Sequence, residues 1–159
     1  MISRIARKVT FLKRLLECRL SLFWLRFCGA DIDPSVKVYG RFNWVGDPEK
    51  LTIQAGSTIN EGVIFELREK ITIGKNVRLS TFSRLHTSKL ILTSTNNRRE
   101  HLGLAINIKD NAWLASGAVV SPGVTVGLNS VLSANSVAIS DIPDDSLFSG
   151  VPAVFIRKI

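Results

Sequence analysis

Broken every six positions, residues 108–142 read IKDNAW LASGAV VSPGVT VGLNSV LSANSV AISDI. The first position of each hexad is apolar: Ile108, Leu114, Val120, Val126, Leu132 and Ala138. Four positions further on stand small or aliphatic residues: Ala112, Ala118, Val124, Ser130, Ser136 and Ile142. Between them lie turn formers: Asp110-Asn111, Ser116-Gly117, Pro122-Gly123, Leu128-Asn129, Ala134-Asn135 and Ser140-Asp141. A period of six fits neither a helix nor a half-buried strand. It fits a chain that runs straight briefly, turns a corner and repeats. Three such sides close a triangular coil, with one aliphatic side chain per side stacked on its equivalent about 4.8 Å away in the next coil. Gly and Asn at the corners tolerate positive φ.

The frame extends backwards from this run. Ile73, Leu79 and Leu85 carry one coil, Ile53, Ile59 and Phe65 another, and Ile32, Val38 and Trp44 a first, less regular one. That makes about five triangular coils. The step from Ile53 to Ile73 predicts a two-residue bulge near Arg68–Lys70, and the step from Ile32 to Ile53 a small excursion around Gly46–Lys50. The large break falls between Leu85 and Ile108, so a loop excursion is expected over 86–107. A β-sandwich of many short strands is the rival fold; six consecutive in-register hexads argue against it.

The stretch from Asn111 to Gly127, followed by Ser149-Gly-Val-Pro-Ala, resembles the hexapeptide-repeat acetyltransferases. Among these it is most similar to the maltose, galactoside and nodulation-factor O-acetyltransferases and to the colanic-acid and capsule O-acetyltransferases. The resemblance covers roughly residues 30–159. It implies an all-β, left-handed parallel β-helix, against the usual right-handed crossover. It also implies acetyl-CoA as co-substrate, no metal, and a homotrimer with active sites between subunits.

Acyl transfer from a thioester to a hydroxyl needs a base, a donor for the developing oxyanion and a grip on the pantetheine arm. His86 stands where the regular coil opens into the break, the junction that holds the catalytic His in the family. An imidazole there can take a proton near neutral pH. The family pattern often has Asp or Gly just before this His, whereas here Arg84 and Leu85 precede it. His101, among charges in Arg98-Arg-Glu-His101, is the other histidine of the chain. By resemblance, Trp113 lines the pantetheine channel, the Ser116 N–H faces the thioester oxygen and Ala134 contacts pantetheine one coil later. Arg157 approaches the CoA phosphates, where Lys158 could assist. The family's frequent Thr-Lys is Ile139-Ser140 here. Asn60, Glu66 and Arg68 are the candidates for acceptor contact.

Residues 1–29 form a separate unit, a basic amphipathic helix preceding the 30–159 domain. Ile2, Ile5, Val9, Leu12, Leu16, Leu20, Phe23 and Phe27 recur at helical intervals. Residues 1–28 hold seven basic residues against Glu17, a charge of +6 out of the chain's +8. The basic character thus belongs to this segment, which argues against nucleic acid as the domain's partner. The most apolar part, Leu20–Cys28, is too short to span a bilayer, and no small-residue cleavage site follows it. Two readings stay open: packing on the domain or a neighbouring subunit, or contact of residues 1–28 with an anionic membrane surface. Cys18 and Cys28 have neither metal-ligand spacing nor further cysteines to pair with, so a reduced, cytoplasmic setting is expected, at most peripheral at the inner face of the membrane.

The expected function is therefore transfer of acetyl from acetyl-CoA to a sugar hydroxyl, of a bacterial surface polysaccharide or its precursor. Amino-sugar N-acetylation is the runner-up, followed by a non-catalytic β-helix scaffold. A carbonic anhydrase on the same helix would need three zinc-binding histidines, and there are two in all. A serine acetyltransferase would carry a larger helical N-terminal domain.

Overall fold

The computed structural model describes residues 2–92 and 99–159. A helix, α1 (Ile2–Phe27), leads into a three-sided parallel β-helix. The first face stacks Asp31–Ile32, Leu51–Ile53, Ile71–Ile73, Ile106–Ile108 and Thr125–Val126. The second stacks Lys37–Val38, Thr58–Ile59, Arg78–Leu79, Trp113–Leu114, Val131–Leu132 and Ser146–Gly150. The third stacks Asn43–Gly46, Ile64–Leu67, Arg84–His86, Val119–Val120 and Val137–Ala138. Among the described residues there are five complete coils and a partial sixth. The sixth arises because Ile142 bridges to Val126 and Leu147-Phe148 pairs with Val131-Leu132. The chain then doubles back, and Ala153–Lys158 closes the second face as an antiparallel strand.

The six-residue frame positions the core. Ile108, Leu114, Val120, Val126, Leu132 and Ala138 are all buried, as are the six residues four positions after them. Each fully buried aliphatic side chain contributes about 1.5–3 kcal/mol relative to exposure. In the first coil Ile32 is buried, while Val38 and Trp44 are only partly covered. Asn111, Gly117, Gly123, Asn129 and Asn135, second members of five predicted turn pairs, all have positive φ. Asp141 does not; its carboxylate instead accepts the Thr125 N–H at 2.7 Å, and Asp145 takes the left-handed position at the next corner. Its neighbour Asp144 accepts the Leu128 N–H and bonds Lys109, which holds its carboxyl below the usual range.

The expected interruptions acquire shapes. The excursion at Gly46–Lys50 contains a short 3-10 turn, Pro48–Lys50, capped by Asp47. The break after the third coil is a β-hairpin, Ser88–Leu92 against Arg99–Gly103.

Helix α1 ends in a Schellman motif: Gly29, at φ +97°, bonds the Arg26 carbonyl and the Ala30 N–H bonds that of Leu25. Cys18, Leu22 and Leu25 are its buried side chains among those described. Leu22 and Leu25 join Ala30, Ile32, Val36 and Phe42 in the core and close the open end of the first coil. Glu17 pairs with Arg41 at 2.6 Å, and Arg26 bonds the carbonyls of Ile32 and Asp33. The predicted stripe is not the docking face. Val9, Leu12, Leu16, Leu20, Phe23 and Phe27 are exposed. The helix carries two apolar faces, and periodicity alone selects the longer one.

Candidate functional site

The third coil ends in Arg84–His86, and parallel pairing sets Glu66 of the second coil directly beside His86. His86 Nδ1 lies 3.3 Å from Glu66 Oε2. The Ser88 hydroxyl donates to the other carboxylate oxygen, Glu66 Oε1. Both oxygens of Glu66 are thus engaged, which fixes the carboxylate. An Nδ1–H donated to Glu66 leaves the Nε2 lone pair of His86 free to accept a proton. The imidazole is 41% exposed and the carboxylate 21%, so the pair sits in a shallow, accessible place.

Thr87 builds the junction. Its hydroxyl donates to the Glu66 carbonyl at 2.6 Å and accepts the N–H groups of Arg68 and Glu69 at 3.1 Å each. The two-residue bulge is therefore held by a buried side chain. It brings Arg68 to 3.9 Å from Glu66. Asn60 is elsewhere, bonding the Leu79 carbonyl at the corner between second and third faces. His101 is exposed on the hairpin opposite Leu90, two residue pairs out from the Ser88–Gly103 base.

Ser116 and Ala134 lie on that corner between the second and third faces, and Trp113 stands on the second face just before it. Trp113 is 43% exposed, and its indole N–H donates to the Ser80 hydroxyl of the previous coil at 2.9 Å. Ser116 is exposed, its carbonyl accepting the Asn135 N–H at 2.9 Å. Ala134, also exposed, stands one coil on. Arg157 is exposed on the C-terminal strand opposite Leu147, and Lys158 bonds the Asp144 carbonyl. The segment Ser149-Gly-Val-Pro-Ala forms the turn into that strand, with a cis Val151–Pro152 bond.

His86 and this corner do not meet in one chain. Thr81, whose carbonyl accepts the Gly117 N–H, marks the same corner in the third coil. His86 follows it five residues later, at the other end of the third face.

Sequence reasoning missed Ser80, Thr87 and Ser88. Glu66 was a candidate acceptor contact and proves to be the partner of His86. The signal was available, since the twenty-residue step of that coil, applied to His86, lands on Glu66. Ser80 had no such signal, because the hairpin intervenes between it and Trp113.

No family model matches the chain. It is 32% identical over 131 residues to the galactoside O-acetyltransferase of Escherichia coli, covering 82% of this chain and 56% of that one. It is 31% identical over 143 residues to a putative colanic acid biosynthesis acetyltransferase of the same organism, covering 88% of this chain and 75% of the relative. The chain belongs to the hexapeptide-repeat acetyltransferases. A hexapeptide-repeat-containing acetyltransferase from Vibrio cholerae superposes with a TM-score of 0.79 at 26% identity, covering 98% of this chain and 89% of that one. The same protein has been solved with acetyl coenzyme A; that match has a TM-score of 0.77 at 29% identity, covering 84% and 73%. This member of the hexapeptide-repeat acetyltransferases spans about half the length of several curated relatives that it matches.

Proposed function

We propose that the chain transfers an acetyl group from acetyl-CoA to a hydroxyl of a sugar, in a surface polysaccharide or its precursor. The observation that carries this reading is the His86–Glu66–Ser88 cluster at the mouth of the hairpin. It supplies an oriented base beside an open surface, on a chain whose relatives include a galactoside O-acetyltransferase and a putative colanic acid acetyltransferase. In this reading the acceptor hydroxyl gives its proton to His86 Nε2. Its oxygen bonds to the thioester carbonyl carbon, the carbon–sulfur bond breaks, and the imidazolium returns the proton to the departing thiolate. Glu66 keeps the ring in the required tautomer and stabilises the transient imidazolium.

Trp113, Ser116 and Ala134 would flank the pantetheine arm, the Ser116 N–H would meet the carbonyl oxygen, and Arg157 would approach the phosphates. The separation of His86 from this corner supports a homotrimer, in which the corner of one subunit faces the His86 end of its neighbour.

The reading is tested by measuring acetyl-CoA consumption against a panel of sugars and oligosaccharides. Release of acetate by mild alkali separates esters from the amides of amino-sugar acetylation. His86→Ala should lower turnover about 10²–10⁴-fold with acetyl-CoA binding little changed. If His101→Ala does this instead, the base has been misplaced; if no sugar is acetylated, the acceptor class is wrong.

A further inference from the structure

The outward face of α1 has no counterpart in the repeat chemistry. The helix docks through Cys18, Leu22 and Leu25. Leu20, two residues past Cys18, is turned about 200° around the helix from it. Leu16 is equally far the other way. Most of the exposed stripe therefore lies on the side opposite the coils, with Phe23 at its edge, lining a groove with Val36, Val38 and Tyr39 of the first coil. From Val9 to Phe27 it runs about 27 Å, with Leu12 61%, Leu16 60% and Phe27 72% exposed. Its C-terminal end is an aromatic cluster: Trp24 packs edge-on to Phe23 and Phe27 at 5.9 and 5.7 Å, and Phe23 stacks on Phe27 at 6.2 Å. Lys13 and Arg19 are exposed on the same helix.

We infer that this face is a docking surface for an anionic lipid bilayer, with α1 lying in the plane of the interface. Charge chooses the occupant. The segment carries +6 in 28 residues, so a second copy of the helix would bring like charge to like charge. An anionic lipid surface offers the complement, about 1 kcal/mol per nearby Lys or Arg. Trp24 has the amphipathic ring that favours the headgroup level, and Phe23 and Phe27 add apolar surface for the acyl boundary. Crossing the bilayer is a different matter, for no helix among the described residues is long and apolar enough.

Because α1 closes the first coil, the attached protein would stand with its coils stacked away from the membrane. The third coil, with His86, would lie about 20 Å above the lipid, a helix diameter plus two coil rises. This would present the cleft to acceptors carried on lipids. That last consequence rests on the transferase reading; the attachment does not.

The test is co-sedimentation of the full chain with vesicles of phosphatidylcholine alone and of phosphatidylcholine mixed with phosphatidylglycerol. Binding is expected to the mixed vesicles only, and to weaken as salt is raised. Lys13→Gln with Arg19→Gln should weaken partitioning about 30-fold, the effect of two basic residues. Leu16→Glu with Phe23→Glu should abolish binding while the melting temperature stays put, since both side chains are exposed. Failure of the parent chain to bind mixed vesicles overturns the inference. So does unchanged binding of the Leu16/Phe23 variant. If that variant instead falls to a smaller oligomer while vesicles never bind, the stripe is an interface between copies. Acetyl transfer is not read in any arm, so failure here leaves the proposed chemistry untouched.

Discussion

Along the corner between the first and second faces, the left-handed residues are Gly56, Asn76, Asn111, Asn129 and Asp145. Along the corner between the second and third faces they are Gly62, Phe82, Gly117 and Asn135. The backbone performs the same turn at both. At the first corner the side chains are joined from coil to coil: Asn76 donates to Asn111 at 3.3 Å, Asn111 to Asn129 at 3.0 Å, and Asn129 to Asp145 at 2.7 Å. At the second there is no such ladder: the Phe82 ring lies over Gly62 and the Asn135 side chain over Gly117, with the exposed Ser116 and Ala134 beside them. One corner uses its side chains for cohesion between coils; the other has no side-chain ladder and is open in that sense.

Substitution in the ladder should show the largest effect on stability. Asn111→Ala loses two side-chain hydrogen bonds and places a Cβ-bearing residue without local polar support at φ +58°. The left-handed penalty is about 1–2 kcal/mol, and exposed hydrogen bonds add about 1 kcal/mol. A loss of about 2–3 kcal/mol should lower the melting temperature by about 4–12 °C without changing turnover per folded molecule. Asn111→Gly relieves the φ penalty and keeps only the ladder loss, so it should fall between parent and Ala. Equal melting temperatures for all three would mean that the ladder contributes nothing and that the contrast between corners is cosmetic.

How much of this was legible depended on repetition. Ile108 to Ile142 declared the fold because one inward residue recurs at a fixed interval, and each hexad confirms the phase of the last. The ladder was half visible, since Asn111 and Asn129 occupied equivalent turn positions, but their mutual bonding needs coordinates. His86 was visible as the residue at the break, while Glu66 was named only as an acceptor contact, although the twenty-residue step leads from His86 to it. Thr87 and Ser88 stayed invisible because they act through hydroxyls in a segment with no period. The helix left its covering surface open for a related reason. Its stripe is a true helical period, but amphipathicity says that an apolar face exists, not which surface covers it. The buried Cys18, Leu22 and Leu25 make a second, shorter face.

The open corner can be challenged directly. Ala134→Leu adds bulk where the pantetheine arm is proposed to run, at an exposed position where the fold loses nothing. A misfit of about 1–3 kcal/mol, typical of changing one small group in a binding site, should raise the KM for acetyl-CoA about tenfold or more. The melting temperature and the KM for acceptor should stay close to those of the parent. If the KM for acetyl-CoA does not move, pantetheine does not follow this corner, and the small residues there reflect turn geometry alone.

The third coil contains the exception within the open corner. Where its neighbours have Gly62 and Gly117, it places Phe82 at φ +61°, a conformation that a bulky side chain adopts at a cost of roughly 1–2 kcal/mol. The ring, 56% exposed, lies over Gly62, where a Cβ would meet it at 2.2 Å. The next residue, Ser83, has a buried hydroxyl without a hydrogen-bond partner among the described residues. Two avoidable costs therefore fall together on the coil that carries His86, a pattern expected where structure yields to function. Phe82→Asn installs the residue type found at the equivalent place in the fifth coil, Asn135. It should stabilise the protein by about 1 kcal/mol, less whatever the partly exposed ring contributes over Gly62, and raise the melting temperature by about 2–4 °C. Acetyl transfer measured on the same variant gives the other half of the argument. A more stable protein with weaker acceptor kinetics would mean that Phe82 is kept for the site at the expense of the fold. A lower melting temperature would mean that the ring's packing over Gly62 outweighs the backbone penalty, and that the third-coil corner is held together after all, by an aromatic cover where the other corner uses an amide ladder.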